Sequence, residues 1–263
     1  MKAKPYVGIT GVANQLEVDN VIKEFEDSGY TLKSRHLPML GFLVSLKTLN
    51  GQETSNRRYP KFKNLRHLVE RTKNKVSPMV HYNSGEKTTL SEQLDKLFYS
   101  LYHDNLCKAV QLNIIYPDIK EIIKTKAKMP YLRIVFQISN SMIEGKTSKQ
   151  LAKSIKGYNN LVDYVLIDPS GGKGREFDLE HSVDIYNELK ENFPNLTVGF
   201  VGGFRGENVV SRVKDIMDRI KNDDFCIDAE GGLRDKISDD YGDDLLNMNK
   251  VKKYLQEASV VLN

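Results

Sequence analysis

Thr197-Val-Gly-Phe-Val201 is a short run of β-branched and aromatic residues, and Gly202-Gly203 follows it directly. From Asn208 to Lys221 the apolar residues Val209, Val213, Ile216 and Ile220 recur at helical spacing, and Phe225-Cys-Ile-Asp228 is another apolar run. This strand, helix, strand order predicts one parallel crossover unit. Working outward, the same unit recurs along the chain. Strands are predicted at Tyr6–Thr10, Leu40–Ser45, Met79–Asn83, Ala109–Asn113, Leu132–Ile138, Tyr164–Ile167, Thr197–Val201 and Phe225–Asp228. Helical patterns are predicted between them, as at Gln15–Ser28, Leu90–Tyr102, Asp118–Lys126 and Leu179–Asn192, and Met248–Ala258 follows the last strand. Most strands are continuous apolar runs, as expected where both faces are covered. An open doubly wound sheet uses the same alternation with fewer strands. Eight strands in about 250 residues predict an α/β chain of the (β/α)8 barrel type, a single domain over 1–263.

Composition narrows the classes. The 263 residues are 40 % apolar and 28 % charged, which fits neither a disordered nor a fibrous chain. The longest apolar stretch, Leu37 to Leu46, is ten residues and contains Pro38 and Gly41. A membrane span needs ~20, so no membrane partner is expected. The start, Met1-Lys-Ala-Lys-Pro5, runs straight into a strand pattern, so no secretory leader is expected. Cys107 and Cys226 each lie in an apolar segment, which suits buried thiols in a reducing cytoplasm. Asn56 to Lys75 carries eight Lys or Arg and one Glu. Leu65, Leu68 and Val69 recur within it at helical spacing, so a solvated helix face is expected there rather than a nucleic-acid footprint. Asp235 to Asp244 holds five Asp and one Lys. Leu46 to Lys61, after the second strand, is irregular and long enough to act as a lid.

In such a barrel the groups at the C-terminal strand ends face the active site. Here these are Thr10, Arg57, Arg58, His81, Asn83, Gln111, Asn113, Gln137, Asp168, Gly202, Gly203, Asp228 and Glu230. Three segments stand out. Val165-Leu-Ile-Asp168 ends in an acid before the glycine-rich Gly171-Gly172-Lys173-Gly174, which suits either acid/base chemistry or a solvated turn. Lys173 is expected to be solvated rather than a Schiff-base lysine. Phe200-Val-Gly202-Gly203 before Asn208 suits an anion site at a helix start, or a plain turn capped by Asn208. Cys226-Ile-Asp228-Ala-Glu230-Gly231-Gly232 supplies the facing loop. His81, Asp168, Asp228 and Glu230 have no recognised metal-ligand spacing, and no metal or other cofactor is expected.

The ordered set resembles phosphoribosylanthranilate isomerases, (β/α)8 enzymes of the ribulose-phosphate-binding type that act in tryptophan biosynthesis. Pro5-Tyr-Val7-Gly-Ile-Thr10, Asn56-Arg-Arg58-Tyr, Ala109-Val-Gln111-Leu-Asn113, Leu166–Asp178, Gly202–Val209 and Asp228–Arg234 each resemble a segment of that family, in the same order. The resemblance implies that Asp168 is a general acid in an Amadori rearrangement and that Arg58 binds a substrate carboxylate. It also implies phosphate binding by the loops of Gly202-Gly203 and Glu230-Gly231-Gly232. Two positions depart from the pattern. Val7 stands where the family has its basic cysteine. Glu230-Gly231-Gly232 replaces Ser-Ser-Gly, and a carboxylate ~4 Å from a phosphate is repelled by ~4 kcal/mol at an effective dielectric of 20.

The reading is therefore a divergent relative that acts on a small anionic metabolite by acid/base chemistry. Asp168 is its catalytic group, and Arg58, Gln111, Asp228, Gly202, Gly203, Glu230, Gly231 and Gly232 bind the substrate. The alternatives are a genuine isomerase with a substitute base and an inactive barrel that binds a metabolite or a partner protein. A cytoplasmic monomer or homodimer is expected.

Overall fold

The computed structural model describes residues 2–169 and 178–263. Eight strands pair parallel in chain order, and the eighth returns to the first, closing a barrel. They are β1 (Tyr6–Thr10), β2 (Leu37–Ser45), β3 (Ser77–Asn83), β4 (Ala109–Leu112), β5 (Arg133–Ser139), β6 (Tyr164–Asp168), β7 (Thr197–Val201) and β8 (Phe225–Ala229). The helices are α1 (Gln15–Asp27), α2 (Leu46–Leu49), α3 (Phe62–Arg71), α4 (Leu90–His103), α5 (Ile119–Lys128), α6 (Asn140–Ile143), α7 (Ser148–Ile155), α8 (Leu179–Asn192), α9 (Val209–Ile220) and α10 (Met248–Leu262).

Side-chain oxygens start many of these helices. Asn14, Asp118, Asp178 and Asn247 each accept a backbone N–H of the first turn, and Thr147 and Gln150 form a reciprocal capping pair at α7. Each such cap contributes ~1 kcal/mol. The basic stretch contains α3, which buries Leu65, Leu68 and Val69 as its spacing implies. Arg71 pairs with Asp19 of α1, and Arg66 pairs with Asp104 just after α4.

Strand alternation splits the apolar residues into two bodies. Val7, Ile9, Leu40, Phe42, Val80, Val165, Phe200 and Ile227 pack outward against the helices. Tyr6, Met39, Met79, Ala109, Val135, Tyr164, Leu166 and Cys226 pack within the lumen. The lumen positions of β1 are thus Tyr6, Gly8 and Thr10. The side chain of Val7 packs toward the helix layer.

Several boundaries differ from the sequence expectation. β2 and β3 begin at Leu37 and Ser77, ahead of the expected starts, because these residues already pair with Tyr6 and Met39, and Pro38 and Pro78 lie near the strand starts, where a missing ladder donor is tolerated. Part of the irregular stretch after β2 is the short helix α2. After β8 a single turn of 3-10 helix at Gly231–Leu233 leads into an unforeseen antiparallel hairpin, β9 (Arg234–Lys236) with β10 (Asp244–Leu246). Among the described residues no helix is long and apolar enough to cross a membrane. Cys107 and Cys226 are both buried and free.

Candidate functional site

The strand ends bring together side chains that lie far apart in sequence, in three connected groups. The first crosses β4, β5 and β6. Gln111 Nε2 donates to Asn113 Oδ1 at 2.8 Å and to Gln137 Oε1 at 3.0 Å, and Gln137 Nε2 donates to Asp168 Oδ2 at 2.7 Å. Asp168 stands level with Ser139 at the end of β6 and is partly exposed. A carboxylate held by an amide in this way keeps one orientation toward the mouth.

The second group lies deeper. Thr10 Oγ1 is 2.8 Å from Asp228 Oδ2 and 3.2 Å from His81 Nε2. All three side chains are buried. Burial, with the nearby charge of Glu230, pushes the Asp228 carboxyl up to about 8, although Thr10 works against it. Burial alone pushes the His81 imidazole down to about 3, so it is neutral at pH 7. His81 and Asp228 meet through a hydroxyl, and no cluster of three or more His, Cys, Asp or Glu placed to hold a metal ion occurs among the described residues.

The third group is ionic. Arg58 is buried, and its Nε lies 3.1 Å from both carboxylate oxygens of Asp244 on β10. Its Nη1 donates to Glu230 Oε1 at 2.7 Å. Asp244 Oδ1 also accepts from Arg234 Nη1 at 3.1 Å, and Arg234 Nη2 donates to the backbone oxygen of Gly11. The Tyr241 ring lies 4.9 Å from the Arg58 guanidinium. Burial works against the charge of Arg58, but Asp244 and Glu230 outweigh it and hold the group above its ordinary value. Arg58 and Arg234 hold Asp244 below the usual carboxylate range against the opposing effect of burial. The expected carboxylate anchor is therefore at the mouth but already carries two carboxylates of its own chain. Arg57 pairs with Asp243, and its N–H donates to Gly242 O at 2.9 Å, which ties the loop after β2 to the hairpin.

The remaining expected residues form the wall formed by the loops after β7 and β8. Gly202 and Gly203 adopt positive φ, 102° and 69°, which glycine accepts without strain. The side chain of Asn208 does not cap α9. It turns back, accepting from Arg205 N at 3.0 Å and donating to Gly203 O at 2.9 Å. Gly232 is pressed against the backbone oxygen of Phe204, whereas Gly231 has open space where a Cβ would point. The glycine-rich segment Gly171 to Gly174, with Lys173, lies outside the described residues. The sequence offered Arg234, like Arg205, only as a cation to offset Glu230, and sequence reasoning missed Asp244 and its pairing with Arg58 and Arg234. The signal that could have found them was the turn sequence Ser238-Asp-Asp-Tyr-Gly242 between two short runs of alternating polarity.

No protein-family description and no curated protein sequence matches this chain. Solved structures do match. The chain is similar to phosphoribosyl anthranilate isomerase from Thermotoga maritima, with a TM-score of 0.64 at 16 % identity, covering 97 % of this chain and 99 % of that one. The Thermus thermophilus isomerase gives 0.63 at 13 % identity, covering 97 % and 98 %. The YdjI aldolase from Escherichia coli K12 gives 0.51 at 12 % identity, covering 98 % and 89 %. The likeness is one of fold.

Proposed function

We propose that this chain is a barrel enzyme that performs acid/base chemistry on a small anionic metabolite, a sugar phosphate in class, at the C-terminal mouth. In this reading it is akin in architecture to the phosphoribosylanthranilate isomerases but does not carry out their reaction. The observation that carries the proposal is the pairing of two different carboxyl groups. Asp168 is fixed at the rim by Gln137, while Asp228, two strands away on β8, is buried and keeps its proton near neutrality. Carboxyl groups in contrasting environments are a common way to divide acid and base roles. Asp168 exchanges a proton with the substrate, and Gln111 and Gln137 orient it. An anionic substrate group reaches Arg58 by displacing Glu230, the more exposed of its two carboxylates. The outward-facing Val7 and the occupied Arg58 argue against the isomerases' own reaction.

The test is to incubate the purified protein in D2O with aldose and ketose phosphates, and separately with phosphoribosylanthranilate, and to follow the carbon-bound protons by NMR. Exchange or conversion of a sugar phosphate is expected, falling ~10²–10⁴-fold in Asp168→Asn. Robust isomerisation of phosphoribosylanthranilate would refute divergence, and inertness toward every sugar phosphate would refute the substrate class. One observation, the saturation of Arg58 by Glu230 and Asp244, favours a second reading, a barrel that binds without chemistry. That reading predicts ligand binding with no exchange and no effect of Asp168→Asn on the ligand's fate.

A further inference from the structure

The proposed chemistry sets the buried Asp228 against Asp168 at the rim, but it leaves Thr10 and His81, which touch Asp228's group, without a task. These side chains come from β8, β1 and β3 and meet inside the lumen. Two lumen-facing glycines make room for them. A Cβ at Gly8 would lie 2.7 Å from Asp228 Oδ1, and one at Gly41 would lie 2.8 Å from His81 Nε2 and closer still to Thr10 Oγ1. Glycine inside a strand costs stability, and here the vacated space is filled by polar atoms.

A hydroxyl can donate one bond while accepting another, and a neutral imidazole has one N–H and one lone pair. Asp228 Oδ1 is buried without a hydrogen-bond partner, and through Oδ2 the Thr10 hydroxyl can link the other two groups in two patterns. In the first, the Asp228 carboxyl O–H donates to Thr10, Thr10 donates to His81 Nε2, and His81 carries its proton on Nδ1. In the second, Asp228 is a carboxylate, Thr10 donates to Oδ2, and Nε2–H donates to Thr10.

We propose that Asp228, Thr10 and His81 form a proton relay, with Asp228 as the store and His81 Nδ1 as the point of delivery. A basic oxygen of the bound substrate, or a water at the mouth, takes the proton from Nδ1, the Thr10 proton moves to Nε2, and the Asp228 proton moves to Thr10 Oγ1. One proton leaves, Asp228 becomes a carboxylate, and His81 ends neutral in its other tautomer. The groups facing the relay favour this. Asp228 is faced by Tyr6 and Gly8 of β1, Met39 of β2, Tyr254 of α10, and Cys226 and Glu230 of its own strand and loop. The hydroxyls of Tyr6 and Tyr254 and the thiol of Cys226 are all raised by burial and stay neutral over the working range. His81 faces Thr10 and Gly41, with Gln111 level with it on β4. The use of the relay rests on the acid/base reading of the mouth, whereas its existence can be measured without substrate.

The experiment is 15N NMR of histidine-labelled protein between pH 6 and 9.5, with the His81 signals assigned from His81→Gln. The expected result is the Nδ1–H tautomer at low pH and the Nε2–H tautomer at high pH, switching as Asp228 ionises. Asp228→Asn should abolish the switch, Thr10→Val should uncouple it and Thr10→Ser should restore it, with circular dichroism confirming that each variant folds. A single His81 tautomer across the range in the unaltered protein, or a switch that survives in Thr10→Val, overturns the relay. A coupled switch together with no sugar-phosphate exchange would leave the relay standing and remove only the functional reading above.

Discussion

Replacing Asp228 by Asn should reverse part of the pH dependence of folding. In the native state its carboxyl is pushed from an ordinary value of 3.8 up to about 8 by burial. Between those two values the unfolded chain ionises this group while the native chain retains the proton, so the unfolded state binds fewer protons and stability falls as pH rises. Each pH unit in this window costs ~1.4 kcal/mol. Across the full window the loss is on the order of 5 kcal/mol, and from pH 5 to 7.5 it is about 3 kcal/mol. An Asn side chain keeps the shape and can still accept from Thr10, but it does not titrate. The stability of Asp228→Asn relative to the unaltered protein should therefore climb by about 3 kcal/mol over that interval. Urea unfolding at half-unit pH steps, followed by far-UV circular dichroism because the chain has no tryptophan, measures this difference. Other titrating groups are common to both proteins and cancel. Parallel stability curves from pH 5 to 7.5 would refute the reasoning, because they would mean that Asp228 ionises in the native state as it does in water.

His81 should have the opposite sign. Its native value of about 3 lies below the ordinary 6.5, so stability is lost as pH falls below 6.5, by on the order of 4–5 kcal/mol at pH 3. His81→Gln should unfold less readily on the acid side, as followed by circular dichroism during acid titration. Asp244→Asn leaves two buried guanidinium groups short of a partner and should cost ~3–5 kcal/mol in urea unfolding, whereas Glu230→Gln, at a side chain 30 % exposed, should cost less than ~1 kcal/mol. Gly41→Ala drives a methyl group into Thr10 and His81 and should cost ~1–3 kcal/mol while removing the pH response of the His81 ring nitrogens in 15N spectra.

The barrel was legible because parallel strands covered on both faces read as apolar runs, and all eight runs from Tyr6 to Asp228 fall on strands. The strand-end positions of Asp168, Gln111 and Asp228 followed from the same topology. What the sequence concealed was pairing across long separations. Nothing near Arg58 announces Asp244, which is 186 residues away and was visible only as the end of an acidic run. Strand phase was equally hidden. Aligning Val7 with a family cysteine says nothing about which way that side chain faces, whereas packing sets Tyr6, Gly8 and Thr10 inward. Gly8 and Gly41 look like weak points in their strands until the buried polar atoms opposite them are seen.

The clasp of Arg58, Asp244 and Arg234 sits where the first and last strands of the cylinder meet. Its Arg58–Asp244 and Arg234–Gly11 contacts join chain positions 186 and 223 residues apart. The parallel pairing of β1 with β8 joins equally distant positions, so the clasp reinforces a closure that the strands also make. Because burial opposes the Asp244 charge and Arg58 and Arg234 sustain it, acid strong enough to neutralise Asp244 takes away the charge that holds the two arginines together. The charges that fasten the two ends of the ring are thus the same ones that surround the expected anion anchor, Arg58.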